Sequence, residues 1–149
     1  MRRPLVAGNW KMNLSPEAGS ALVTELLPLV AGSSAAVDVV VCPPYTSLAA
    51  VAAVLQGGTV TLGAQNCHWE EEGAFTGEVA PGMLLTVGCQ WVILGHSERR
   101  QFFGESDEDV RRRAVAASSS AWVNSTWVAR AANHSSAMNA QRLRSAMRS

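Results

Sequence analysis

The sequence predicts an α/β fold in which short parallel strands alternate with helices, and two stretches carry this prediction. Residues 5–8 (LVAG) and residues 91–95 (WVILG) are each a brief apolar run that ends in a glycine and is followed by polar side chains. Apolar runs without polar alternation are typical of strands that are buried on both faces. A chain of 149 residues, of which 48% are hydrophobic, is long enough for one modest domain with its own core.

The first part of the chain supports this alternation of strand and helix. Ser15 is a good N-cap with Pro16 at the first helical position, so a helix is expected to begin there. Pro28 should bend or shorten this helix near its end. The second strand is expected at residues 37–41, because the cysteine and two prolines that follow would stop it.

The later elements continue in the same order as far as residue 117. We expect a helix at about residues 46–56, a strand at residues 59–63, a long loop at residues 67–79, a short helix at residues 81–87 and a strand at residues 91–94. Ser106 and Asp109 have the spacing of a capping box, which predicts one more helix. The three arginines at residues 111–113 are expected on its surface, paired with acidic residues one turn earlier.

Polar residues that can carry chemistry follow the first and the last of these strands. His96 comes directly after Gly95, and Asn9 and Lys11 share a face if the first strand continues as far as Lys11. Because the loops at the carboxyl ends of parallel strands gather around one crevice, these side chains are expected to converge. A histidine there can donate or accept protons near neutral pH, and a lysine suits a small anion. The alternative for each residue is an ordinary structural role.

Four motifs resemble those of triose-phosphate isomerases. They are AGNWKMN at residues 7–13, LGAQN at residues 62–66, GAFTGE at residues 73–78 and GHSERR at residues 95–100. Their order and spacing make the match specific, and it covers residues 1 to about 117. The resemblance implies a (β/α)8 TIM barrel of which this chain holds only the first four βα units, a half barrel followed by an unmatched tail.

The resemblance also implies roles for the residues that follow the strands. The reaction interconverts glyceraldehyde 3-phosphate and dihydroxyacetone phosphate, as in glycolysis and gluconeogenesis, through an enediolate and without a cofactor or a metal. His96 would polarise the carbonyl group, Lys11 would stabilise developing negative charge, and Asn9 would orient the substrate. Glu98 would pair with Lys11 or support the site, and Ser97, which can open a short helix with Glu98, would also support it.

A homodimer is a further implication of the resemblance. In the family the loop at residues 67–79 reaches into a neighbouring subunit, so Thr76, between Phe75 and Gly77, would approach the partner's site. Glu78 and Arg99 would form a structural ion pair. From composition alone, the same loop would be a solvated surface.

The last part of the chain departs from the family pattern. Residues 118–149 hold four arginines and no acidic residue, whereas residues 1–117 hold eight basic and twelve acidic residues. We expect a Ser/Arg-rich tail that is poorly ordered or weakly helical, a shifted-frame or rearranged continuation of an isomerase gene. No catalytic base and no phosphate clamp are recognisable in it, so this polypeptide is expected to be inactive as an isomerase.

Two other functions stay open at this point. A half barrel with exposed strand edges and an exposed apolar inner face could self-associate or bind a partner without catalysis. A binder of small phosphate ligands could use Asn9 and Lys11 alone. Neither nucleic acid nor a membrane is an expected partner, because arginines are few in the tail and the longest apolar run is too short to span a bilayer. Three widely spaced cysteines indicate reduced thiols in the cytoplasm and no zinc site.

Overall fold

The computed structural model describes residues 4–32 and 36–119, which form four parallel strands and the helices between and after them. The strands are β1 (Leu5–Asn9), β2 (Asp38–Cys42), β3 (Val60–Ala64) and β4 (Trp91–Val92). The helices are α1 (Pro16–Val30), α2 (Leu48–Leu55, preceded by a 3-10 turn at Tyr45–Ser47), α3 (Pro81–Val87), α4 (Ser97–Phe103) and α5 (Asp107–Ser119). The strands lie in the order β1-β2-β3-β4, so the predicted half barrel of four βα units is confirmed.

Capping residues set the helix starts as the sequence predicts. Ser15 Oγ accepts a hydrogen bond from the backbone N–H of Ala18 at 3.3 Å at the start of α1. At α5, Ser106 Oγ accepts from Asp109 N–H at 3.1 Å, and the Asp109 carboxylate accepts from Ser106 N–H at 2.9 Å. These reciprocal bonds confirm the capping box, and the bond that Ser106 N–H donates to the carboxylate lowers the pKa of Asp109.

Pro28, which was predicted to bend or shorten α1 near its end, lies in the last turn of α1, and the helix ends at Val30. The predicted end of β4 is wrong. β4 is shorter than the predicted strand at residues 91–94, although Ile93 N–H still donates to Ala64 O at 2.8 Å. The predicted tail at residues 118–149 lies outside the described residues apart from Ser118 and Ser119, which complete α5.

The sheet carries a hydrophobic cluster on each face. The larger cluster lies between the sheet and the helices, and its fully buried members include Val23, Val51, Leu62, Leu84 and Leu94. The smaller cluster lies on the inner face of the half barrel, where Val40, Cys42 and Ile93 pack against Leu5 and Trp91. Val40 and Cys42 are each 1% exposed and Ile93 is 5% exposed, so the expectation of an exposed inner face is wrong for these residues.

Gly63 allows the inner cluster to close over β3. A Cβ atom at this position would lie 2.7 Å from Cys42 Sγ and 3.2 Å from the Cβ of Trp91. Trp91 therefore packs directly over the β3 backbone, and its indole Nε1–H donates to Thr61 Oγ1 at 2.8 Å.

Candidate active site

His96 lies where β4 gives way to α4. Gly95 makes the turn with φ +66°, and a side chain there would press against Val110 of α5 at 3.0 Å. His96 is the N-cap of α4, and its Nδ1 accepts a hydrogen bond from the backbone N–H of Glu98 at 3.2 Å. Accepting this bond requires an unprotonated Nδ1, so the proton of the neutral imidazole is on Nε2. In its neutral form His96 therefore offers an N–H donor at Nε2.

Lys11 and Glu98 form an ion pair at the same end of the sheet. Lys11 Nζ lies 2.5 Å from Glu98 Oε1, and the other carboxylate oxygen of Glu98 lies 3.6 Å from His96 Nδ1. The pKa of Glu98 is lowered, first by the hydrogen bond from Lys11 and then by the charge of Lys11. An ionised, weakly basic carboxylate thus holds the ammonium group beside the imidazole.

The expectation that Asn9 and Lys11 share one face of a continuing strand is wrong. β1 ends at Asn9, and Lys11 has a left-handed backbone with φ +56°. Asn9 Oδ1 accepts the Lys11 N–H at 2.9 Å, which stabilises this turn. Gln65 Nε2 donates to the carbonyl oxygens of Lys11 and Cys42 at 2.9 and 2.8 Å. No role for Gln65 was predicted beyond its place in the LGAQN motif, although a polar side chain directly after a buried strand was the available signal.

Arg99 pairs with Glu105 in the structure, and the predicted ion pair between Glu78 and Arg99 stays a prediction. Arg99 Nε donates to Glu105 Oε1 at 3.0 Å, and Arg113 also contacts this carboxylate oxygen. Glu105 is 6% and Arg113 7% exposed, so Arg113 is not on the helix surface as expected. Arg111 does pair with Glu108 one turn earlier, at 2.6 Å.

The loop at residues 67–79, which was predicted to contact a partner subunit, contains a hydrogen-bonded turn around Thr76. Phe75 is half exposed, Gly77 has φ +90°, and Glu78 N–H donates to Phe75 O at 3.0 Å across Thr76. Ser97 begins α4 between His96 and Glu98.

The thiols do not contribute a nucleophile or a metal centre. Cys42, Cys67 and Cys89 are free and buried, and burial raises the pKa of each to about 12. Within residues 4–32 and 36–119, His, Cys, Asp and Glu side chains form no group of three that could hold a metal ion. No helix in this part of the chain is long and apolar enough to cross a membrane.

The assembled groups can stabilise an oxyanion. A neutral imidazole N–H and an ammonium group lie at the carboxyl ends of the strands, where a substrate oxygen would receive hydrogen bonds and positive charge. The structure brings Lys11, Glu98 and His96 together as predicted, with Asn9 bonded to the Lys11 backbone. Such an arrangement suits polarisation of a carbonyl group.

Known proteins resemble the chain in sequence and in structure. The family model for triosephosphate isomerase matches residues 4–147, which extends beyond residue 117, where the resemblance was expected to end. Triosephosphate isomerases of Pelobacter propionicus and Thermoanaerobacter sp. are 56% and 50% identical over 117 residues, which are 78% of this chain and 46% of each relative. The crystal structure of triosephosphate isomerase from Bartonella henselae aligns with this chain with a TM-score of 0.72 at 40% sequence identity. The alignment covers 78% of this chain and 47% of the Bartonella henselae chain. The chain thus spans less than half the length of these relatives.

Proposed function

Because this chain belongs to the triosephosphate isomerase family, we propose that Asn9, Lys11 and His96 form one half of an active site that interconverts glyceraldehyde 3-phosphate and dihydroxyacetone phosphate. The hydrogen bond from Glu98 N–H to His96 Nδ1, beside the Lys11–Glu98 pair, carries this proposal. It supports a neutral histidine electrophile, for which triosephosphate isomerase is itself the established example.

Each residue has a separate task in the proposed reaction. His96 Nε2–H donates to the substrate carbonyl oxygen, so that removal of a proton from the neighbouring carbon gives an enediolate. The Lys11 ammonium group stabilises the negative charge that develops, and one such preorganised donor is typically worth about 2.7–4 kcal/mol. Asn9 uses its Oδ1 on the Lys11 N–H, which leaves its amide NH₂ to orient the substrate.

We propose in addition that this polypeptide on its own does not catalyse the reaction. Among the described residues, Glu98 is the carboxylate that contacts His96, and its lowered pKa and its bond to Lys11 make it a poor base. Proton abstraction from carbon needs a positioned base, which contributes about 10²–10⁴-fold. The base and the phosphate clamp would come from residues outside those described.

A chimera tests both proposals. Residues 1–117 of this chain are joined to the remaining part of the Pelobacter propionicus relative, and turnover is compared with that of the 149-residue polypeptide. We expect turnover from the chimera only, and a loss of about 10²–10⁴-fold in kcat for His96→Gln. Gly82→Ala, at an open position in α3, is the control and should leave turnover unchanged. A folded but inactive chimera contradicts the site assignment, and turnover by the polypeptide itself contradicts the second proposal.

We also propose that the chain forms a homodimer through the loop at residues 67–79. Support comes from apolar side chains that are exposed on this loop and on α4: Phe75 is 44%, Phe102 67% and Phe103 70% exposed. Sedimentation velocity over a range of concentrations tests this, with Phe75→Ser as the variant expected to dissociate. An unchanged monomer at every concentration would contradict it.

The cytoplasm is the proposed location, since three free thiols fit a reducing compartment. A non-catalytic fragment that self-associates or binds a partner through its strand edges is less well supported, because burial of Val40, Cys42 and Ile93 removes part of the exposed inner face that motivated it.

A further inference from the structure

His68 is a buried histidine that has no part in the proposed reaction. It begins the loop at residues 67–79 and is only 5% exposed, although residues 70–78 are exposed. Its ring stacks on Trp69 at a centroid distance of 4.5 Å and contacts the Phe75 ring at 4.4 Å. The imidazole therefore lies between the two aromatic side chains that shape the loop.

Two hydrogen bonds connect His68 to the beginning and the end of this loop. Its backbone N–H donates to Val79 O at 2.8 Å, which closes the loop at its base. Its Nδ1 accepts the backbone N–H of Glu70 at 3.0 Å, which holds the first turn. The second bond requires an unprotonated Nδ1, since a protonated nitrogen would be a second donor facing the Glu70 N–H.

The charged groups around His68 come from its own loop and from α5. Arg112 lies 4.2 Å and Arg113 5.4 Å above the Trp69 ring, on which His68 stacks. The Glu70 carboxylate already pairs with Arg112 at 3.6 Å, and Glu78 lies at the far end of the loop and acts on the neighbouring Cys67.

These groups act on a protonated His68 in opposite directions. Stacking on two aromatic faces and the two carboxylates favour an imidazolium ion. Burial, two nearby guanidinium groups and the facing Glu70 N–H disfavour it. The effect on the loop depends on the hydrogen bond from Glu70 N–H to His68 Nδ1. Protonation of Nδ1 removes this bond, whether the surrounding charges favour or disfavour the imidazolium ion.

We propose that His68 is a proton-sensitive latch that holds the first turn of the loop at residues 67–79 only while its imidazole is neutral. Acidification then breaks the bond between His68 and Glu70 and frees the first turn of the loop. If the proposed homodimer forms through this loop, acid weakens it, and this consequence alone rests on the proposed function.

Solution NMR of the full ¹⁵N-labelled chain tests the latch. At about pH 8 we expect His68 Nδ1 to carry no proton and the Glu70 amide to be protected from exchange. The pH is then lowered until the ¹⁵N shifts of His68 show a protonated ring, and protonation should reduce that protection by about 2- to 10-fold after correction for intrinsic exchange, the factor that one hydrogen bond contributes. A proton on Nδ1 at pH 8, or unchanged protection after His68 is protonated, would overturn the proposal.

The matched variant His68→Asn separates the latch from a general effect of acid. An asparagine Oδ1 can accept the same N–H two residues on but does not titrate, so the Glu70 amide should respond less to pH than in the unsubstituted chain. An equal pH response in the variant would contradict the latch. Sedimentation before and after His68 is protonated measures the dimer separately. If the chain is a monomer under both conditions, the NMR result alone tests the role of His68.

Discussion

The two histidines of the described fold, His68 and His96, have the same local arrangement and are proposed to have different functions. In both, Nδ1 accepts the backbone N–H two residues later, from Glu70 for His68 and from Glu98 for His96. The shared bond fixes the tautomer, and the surroundings decide its use. His68 is enclosed by aromatic rings, whereas His96 lies beside an ion pair at the carboxyl ends of the strands.

The Lys11–Glu98 pair predicts a specific pH dependence at the residue scale. A lowered pKa means that this pair stabilises the native state above the ordinary pKa of a glutamate and ceases to do so as the pH falls through the native value. Lys11→Met should raise the pKa of Glu98 toward its ordinary value of 4.5, as measured by NMR of the carboxyl carbon. Glu108, whose pKa is lowered by Arg111, should not move, and an unchanged Glu98 would refute the pairing.

Gly63 provides a test of close packing on the inner face. Gly63→Ala would place a Cβ atom 2.7 Å from Cys42 Sγ, so we expect a loss of about 1–3 kcal/mol in the free energy of unfolding. Gly82→Ala meets no neighbouring atom within 4 Å and should be neutral or more stable by up to about 1 kcal/mol. Urea denaturation of both variants measures the difference, and equal stability would show that Trp91 is not packed over β3 as described.

At the scale of elements, short-range signals in the sequence predicted well and long-range pairs did not. Ser15 and Ser106 marked the starts of α1 and α5 because a cap depends on residues only three positions away. The bond from Arg99 to Glu105 was not predicted although the two residues are only six positions apart, because it depends on the packing of α4 and α5, in which Arg113 reaches the same carboxylate. The turn at Lys11 was missed because Gln65, 54 residues later, helps to hold it.

The capping box of α5 is testable as a single element. Ser106→Ala removes the acceptor for Asp109 N–H and should reduce the free energy of unfolding by about 0.5–2 kcal/mol. Thr86→Ala, on the exposed side of α3, is a control with a hydroxyl in a helix rather than at a cap. If the two substitutions have equal effects on urea denaturation, the cap does not stabilise α5.

For the molecule as a whole, strand order turns separate sequence motifs into one site. β1 and β4 lie at opposite ends of the four-stranded sheet, yet Lys11 Nζ and Glu98 Oε1 meet at 2.5 Å. The convergence of these residues was predictable, since parallel strands present their carboxyl ends at one edge. Burial of Val40, Cys42 and Ile93 on the inner face was not predictable, because it depends on the packing of Trp91 beside Gly63, which no periodicity in the sequence reveals.

The central claim is that His96 is a neutral electrophile with its proton on Nε2, and ¹⁵N NMR of the imidazole tests it most directly. At about pH 7 we predict a protonated Nε2 and an unprotonated Nδ1. A scalar coupling between Nδ1 and the Glu98 amide should be detectable across their hydrogen bond. The control is Glu98→Gln, which keeps the backbone donor and should keep the tautomer. A proton on His96 Nδ1, in either the neutral or the charged ring, would contradict the account.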